Sequence, residues 1–168
     1  MLTGALSITV RDMKIIKNLL AILSLFVGTS ALAAMPKVGD VAPAFQGTDQ
    51  NGHEIKSSDI IGKKIVLLYF YPKDFTGGCT KEACGFRDRM GDLQKDNVEV
   101  IGVSFDSVDR HKAFEQKYNL NFTLLADPNG TIVDAYGTRM GMMNMSRRVS
   151  FLIGLDGKIV HVTNSMSP

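Results

Sequence analysis

Residues 64–70, KIVLLYF, are apolar at nearly every position. A strand with one wet face alternates apolar and polar side chains. An unbroken apolar run of strand length is what a strand covered on both faces carries. This feature demands a layer of structure above the strand and another below it. Residues 98–105, VEVIGVSF, repeat the pattern, and residues 122–126 form a shorter third case. Helical stretches separate these runs. Residues 80–96 follow the first, and residues 107–118 follow the second, with Phe114 and Tyr118 four apart on one helical face. A short helix is expected over residues 131–136. Residues 149–155 and 158–163 read as two strands joined by Asp156-Gly157, a hairpin-turn pair. Strands alternating with helices and closed by a hairpin predict an α/β sandwich built on a mixed sheet. Residues 36–63 are less regular, and Asn51-Gly52 marks a turn there within a small added N-terminal hairpin.

The two ends of the chain have their own signals. Residues 13–18, MKIIKN, form a short basic segment, residues 19–28 are apolar, and Ala31-Leu32-Ala33 has the small-residue form at which secretory signals are cut. A cleavable signal peptide over residues 1–33 is therefore expected, with Met13 the better initiator. The apolar run is short for a membrane span, and no cysteine stands at the cleavage point to carry a lipid. The protein is expected to be periplasmic, with no stable membrane association after cleavage. Residues 34–168 then make one domain of 135 residues, with 16 Lys and Arg against 16 Asp and Glu. A chain so balanced has no basic stripe for nucleic acid. No helix follows the last strand, so the domain is expected to lack a closing C-terminal helix.

Both cysteines, Cys79 and Cys84, lie in YPKDFTGGCTKEACGF, residues 71–86. Their spacing is not that of a C-x-x-C redox pair, and two cysteines are too few for a zinc cage. In an oxidising compartment two such thiols form a disulfide or cycle through one. Pro72 ends the preceding strand because it cannot donate to a ladder. A helix is expected to start around Cys79, with Ala83, Phe86, Met90 and Leu93 on its inward stripe. Cys79 falls on that stripe in the first turn, beside unpaired N–H groups and the positive end of the helix dipole, which favour a thiolate. A small buried core residue is the plain alternative. Cys84, five residues on, points roughly 140° away, with Cα atoms roughly 8–9 Å apart in an intact helix. A disulfide needs less than about 7 Å. Bonding of the two requires the first turns to open, and Gly85 and Gly91 make that easier.

Pro72, Thr76 and Cys79 form P-x-x-x-T-x-x-C, and this motif resembles the signature of the peroxiredoxins. The wider string YFYPKDFTGGCTKEACGFRD is similar to the bacterioferritin-comigratory, or Q-type, branch, with Cys84 where that branch has its resolving cysteine. VGDVAPAF, GKKIVLLYFYP and RRVSFLIGLDGKIVHV fit as well, the last placing Arg148 on the family's active-site arginine. The likeness spans nearly all of residues 34–168. Gly77 stands for a frequent proline and Gly154 for a frequent Asp. The resemblance implies a thioredoxin-like fold and peroxidase activity without metal or organic cofactor. Cys79 is then the peroxidatic thiol and Cys84 the resolving one. Thr76 bonds the thiolate or the peroxide, Arg148 stabilises charge, and Pro72 shields the pocket. A hydroperoxide substrate and a thioredoxin-like reductant are implied, and a monomer is expected because the net-neutral surface and the intramolecular cysteine pair demand no partner subunit. Thr76 as a helix cap and Arg148 as a surface charge beside Arg147 are the plain alternatives. Tyr69, as a pocket wall, and Glu82, as a first-turn acid, stand outside the expected site. His53, His111 and His161 have no ligand spacing and are expected to be structural or exposed.

Two other classes compete. Soft sulfur ligands suit Cu(I), and RMGMMNMS gathers Met140, Met142, Met143 and Met145, so an exported copper-binding thioredoxin-fold protein is the alternative. Copper carriers of that fold use C-x-x-x-C, and P-x-x-x-T-x-x-C has no role in them. A disulfide oxidase or reductase acting on other proteins would normally carry C-x-x-C.

Overall fold

The computed structural model describes residues 34–164. The expected signal peptide, the initiator Met13 and the last four residues lie outside the described residues. β3 (Ile65–Phe70) runs parallel to β4 (Val98–Ser104) and antiparallel to β6 (Val149–Ile153). Its side chains alternate between two buried environments. Val66, Leu68 and Phe70 join Ile101, Val103, Val149, Phe151 and Ile153 in one cluster. Tyr69 and Tyr71 join Val100, Phe114 and Leu124 in the other. Each face is covered, which is why the run carries no polar alternation. Fully burying one such side chain contributes about 1.5–3 kcal/mol.

Among the described residues the sheet has seven strands, in the order β2 (Glu54–Lys56), β1 (Gln46–Asp49), β5 (Thr123–Ala126), β4, β3, β6 and β7 (Ile159–Asn164). β5 is parallel to β4, and β7 is antiparallel to β6. α2 (Gly77–Lys95) links β3 to β4, and α3 (Val108–Tyr118) links β4 to β5. Both cover the Tyr69 face of the sheet. α4 (Thr131–Ala135) covers the opposite face through Ile132 and Val133, together with Ala42 and Phe45. This is the expected α/β sandwich on a mixed, thioredoxin-like sheet.

Three details differ from expectation. The hairpin β1 (Gln46–Asp49) and β2 (Glu54–Lys56) is not an appendage. β1 pairs with β5, Thr48 opposite Ala126, so the hairpin forms the edge of the main sheet. A four-residue helix, α1 (Ser57–Ile60), follows it, anchored where Ser57 Oγ accepts from the Phe45 N–H at 3.0 Å. α2 starts at Gly77, two residues before Cys79, because Thr76 already has the extended backbone of a cap. At the C-terminal hairpin, Gly157 takes φ 76, the left-handed conformation that the Asp156-Gly157 turn needs.

Candidate active site

The site forms where β3 hands the chain to α2. Tyr71 still donates to the Val103 carbonyl at 3.2 Å. Pro72 then ends the ladder, and residues 72–76 cross to the first turn of α2. Cys79 is the third residue of that helix and is 2% exposed. It shares the inward stripe with Ala83 and Met90, flanked by half-buried Phe86 and Leu93. No side chain caps the helix at Thr76, and its first turn holds no acidic residue. The positive end of the helix dipole is therefore unneutralised beside the sulfur. Cys84 is half-buried, and both thiols are free on the wound helix, as the helical geometry requires.

Arg148 comes from the far end of the sequence. Val149 points into the core below the sheet, and strand alternation sends the preceding residue to the opposite face, where α2 lies. Its Nη2 donates to Cys79 Sγ at 3.3 Å, and its Nη1 donates to Glu82 Oε2. Arg148 is thus a built part of the site and not a loose surface charge. Burial by itself would lower its pKa, but Cys79 and Glu82 outweigh that and hold it raised. The guanidinium is a fixed cation with several donors, suited to negative sulfur on one side and a departing oxygen on the other.

Glu82 is the residue that sequence reasoning set aside. With α2 beginning at Gly77, it lies in the second turn and not the first. Three positions after Cys79, it shares that residue's side of the helix. Burial pushes its carboxyl above the ordinary 4.5, while Arg148 pulls it back. The signal that could have found it was this i, i+3 spacing from the cysteine.

Thr76 is exposed, and its hydroxyl donates to the Lys73 carbonyl at 3.0 Å instead of to the sulfur or as a helix cap. Its oxygen lone pairs remain free to accept a hydrogen bond. Pro72 is half-buried and lines a cleft of about 170 Å³ with Lys73, Asp106, Pro128 and Met145. Of the four clustered methionines, Met142 is 99% exposed and Met143 51% exposed. Tyr69 is not a pocket wall. It lies buried beneath α2, its ring 5.3 Å from Tyr71 and 4.7 Å from Phe86, and its hydroxyl has no partner among the described residues. His53 and His161 are exposed, whereas His111 is fully buried. Among the described residues, no group of three His, Cys, Asp or Glu side chains is arranged to hold a metal.

Residues 38–162 match the AhpC/TSA family. The chain is similar to a putative peroxiredoxin bcp of Coxiella burnetii, 46% identical over 129 residues, which span 73% of this chain and 85% of that protein. It is also similar to peroxiredoxin Bcp of Escherichia coli, 43% identical over 132 residues, covering 75% and 84% of the two chains. Among solved structures, peroxidoxin BcpB from Mycobacterium tuberculosis superposes with a TM-score of 0.74 at 32% identity, over 79% of this chain and 87% of that one.

Proposed function

The chain belongs to the AhpC/TSA family, in its peroxiredoxin Bcp and Q branch, and on that premise we propose how its residues reduce a hydroperoxide. It is a thiol-dependent peroxidase with a thioredoxin-type reductant. Cys79 thiolate attacks the terminal oxygen of ROOH. A sulfur–oxygen bond forms and the oxygen–oxygen bond breaks. The sulfur is oxidised to sulfenic acid, and the leaving alkoxide takes a proton from solvent to become ROH. The observation that carries this reading is the Arg148 guanidinium, held by Glu82 and bonded to Cys79 Sγ at 3.3 Å. There it meets charge on the sulfur first and on the departing oxygen as the bond breaks. Thr76, its proton committed to Lys73, accepts from the peroxide O–H and orients it. Pro72, just past the end of β3, limits the access of bulk water to Cys79.

Cys84 resolves the intermediate. Its thiolate attacks the sulfenic sulfur, the sulfur–oxygen bond breaks, the departing hydroxide takes a proton from solvent to leave as water, and an intramolecular disulfide forms. Helical geometry forbids that bond while α2 is wound, so its first turns open. A dithiol reductant then returns both thiols. The protein works as a monomer in the periplasm, with residues 1–33 directing export and then removed.

The test is the intact mass of reduced protein after one equivalent of hydrogen peroxide, followed by thiol labelling. Loss of both labelling sites, with the mass of one internal disulfide, is expected within seconds. Two fully labelled thiols would overturn the reading. Cys79→Ser abolishes the reaction, whereas Cys84→Ser stops at a sulfenic acid that a dimedone-type trap captures.

A further inference from the structure

Asp74 lies between Pro72 and Thr76 and is 1% exposed. Each of its polar atoms is engaged. Its N–H donates to Asp106 Oδ2 at 2.8 Å, and its carbonyl accepts from Arg110 Nη2 at 3.2 Å. Its Oδ1 accepts from the Tyr71 hydroxyl at 2.7 Å, and its Oδ2 lies 2.8 Å from His111 Nδ1. Asp106 is in turn fixed by Ser104 Oγ at 2.9 Å and by Arg110 Nε at 2.8 Å.

His111 is 0% exposed, and its second ring nitrogen, Nε2, lies 3.2 Å from the Leu125 carbonyl. Each nitrogen therefore faces an oxygen within hydrogen-bond distance, and the Tyr71 hydroxyl also lies 3.4 Å from Nδ1. Tyr71 is a committed donor, because burial pushes its phenol well above the ordinary range.

The next residue, Phe75, has φ 63. A left-handed non-glycine backbone of this kind is strained and persists only where its surroundings impose it. Here α3 imposes it. The Phe75 ring packs against Phe114 at 5.1 Å, with the Arg110 guanidinium 5.1 Å and the Lys117 ammonium 5.6 Å from its centre. A buried ionisable pair is a poor route to stability, since apolar residues of similar volume do as well or better. What it supplies is one geometry for the loop.

We propose that His111 is a positioning residue for peroxide reduction, acting through Asp74 to hold residues 72–76 so that Thr76 and the start of α2 aim at the peroxide on Cys79. The inference rests on the peroxidase reading. It assigns a role to a histidine that lies outside the cysteine motif and touches neither sulfur.

The test compares two reactions of the same thiol. His111→Leu lowers the second-order rate with hydrogen peroxide by about 10–100-fold, the range seen when an orienting partner is lost. Alkylation of Cys79 by iodoacetamide, which needs no oriented peroxide, stays within about twofold. His111→Asn, which keeps a donor at the Nδ1 position, recovers most of the peroxide rate. Should His111→Leu not fold, Tyr71→Phe removes only the hydroxyl facing Asp74 and shows the same split at several-fold. Equal losses in both reactions, or no loss in either, overturn the proposal. A wild-type protein inert to peroxide refutes the peroxidase reading instead. The clamp is then judged by amide exchange at residues 74–76, which the variant must accelerate.

Discussion

The five residues before the first turn of α2 and the turns that follow Cys79 are held in opposite ways. Residues 72–76 are riveted through Asp74, every polar atom of which is bonded, to α3, to Asp106 in the loop before α3 and to Tyr71. Residues 79–85 rest mainly on apolar contact, with Arg148 on Cys79 and Glu82 as the side-chain tie from outside the helix. Their helix has no side-chain cap and no first-turn acid. Gly85 is exposed, and two buried hydroxyls, Tyr69 OH beneath the helix and Thr80 Oγ1 within it, have no partner among the described residues. The helix is tied again at Arg87, whose Nη1 donates to the Tyr118 carbonyl at 2.7 Å and whose own carbonyl accepts from Asn121 Nδ2 at 3.4 Å. The contrast fits the proposed chemistry, in which peroxide attack needs donors held in place and resolution needs the same cysteine to leave its place.

The strongest way to break this contrast is Arg148→Met. The peroxide rate falls by about 10²–10³-fold, the usual cost of losing one donor to developing charge. Stopped-flow oxidation measures it, while amide exchange along residues 79–86 changes far less than the rate, the helix losing only the Arg148 tie to Cys79 and Glu82. If exchange changes as much as the rate, attack and opening are not separate.

Glu82→Gln is next, at about 10–100-fold, because the guanidinium loses the partner that orients it. The pH profile carries the sign. Burial raises the Glu82 carboxyl above 4.5, and only the ionised form holds Arg148. The rate therefore drops as pH falls through that raised value, and the Gln variant lacks this acid limb. The folded carboxyl also sheds its proton later than the unfolded one. Its contribution to stability is thus greatest at low pH and is lost as pH rises from 4.5 through the folded value.

Tyr69→Phe tests the yielding side. Removing a buried hydroxyl without a partner stabilises the wound state by about 1–3 kcal/mol. Disulfide formation slows, the sulfenic acid lasts longer, and excess peroxide drives more of it to sulfinic acid, read by mass. Unchanged over-oxidation would sink this account of the helix. The smallest effect is Gly85→Ala. The added methyl meets nothing within 4 Å, and the helix gains about 1 kcal/mol. Resolution slows about fivefold. In the oxidised wild-type protein, amides before Arg87 exchange fast and those after it remain protected.

Much of this molecule is local enough to be legible in the chain. The apolar runs of β3 and β4, the Asp156-Gly157 turn and the stripe Cys79, Ala83 and Met90 are each patterns among near neighbours. Their physics is side-chain periodicity and turn chemistry, which act over a few residues. The site string Pro72, Thr76 and Cys79, and with it Arg148, was legible only through resemblance to known motifs. The partners 66 residues apart, Arg148 and Glu82, and those 37 apart, Asp74 and His111, were decided by the tertiary structure. Neither Glu82 nor His111 differs in sequence from an ordinary helical residue. Each acquires its role because the sheet order brings distant segments together in a dry space, where an unpaired polar group is costly enough to dictate its partner.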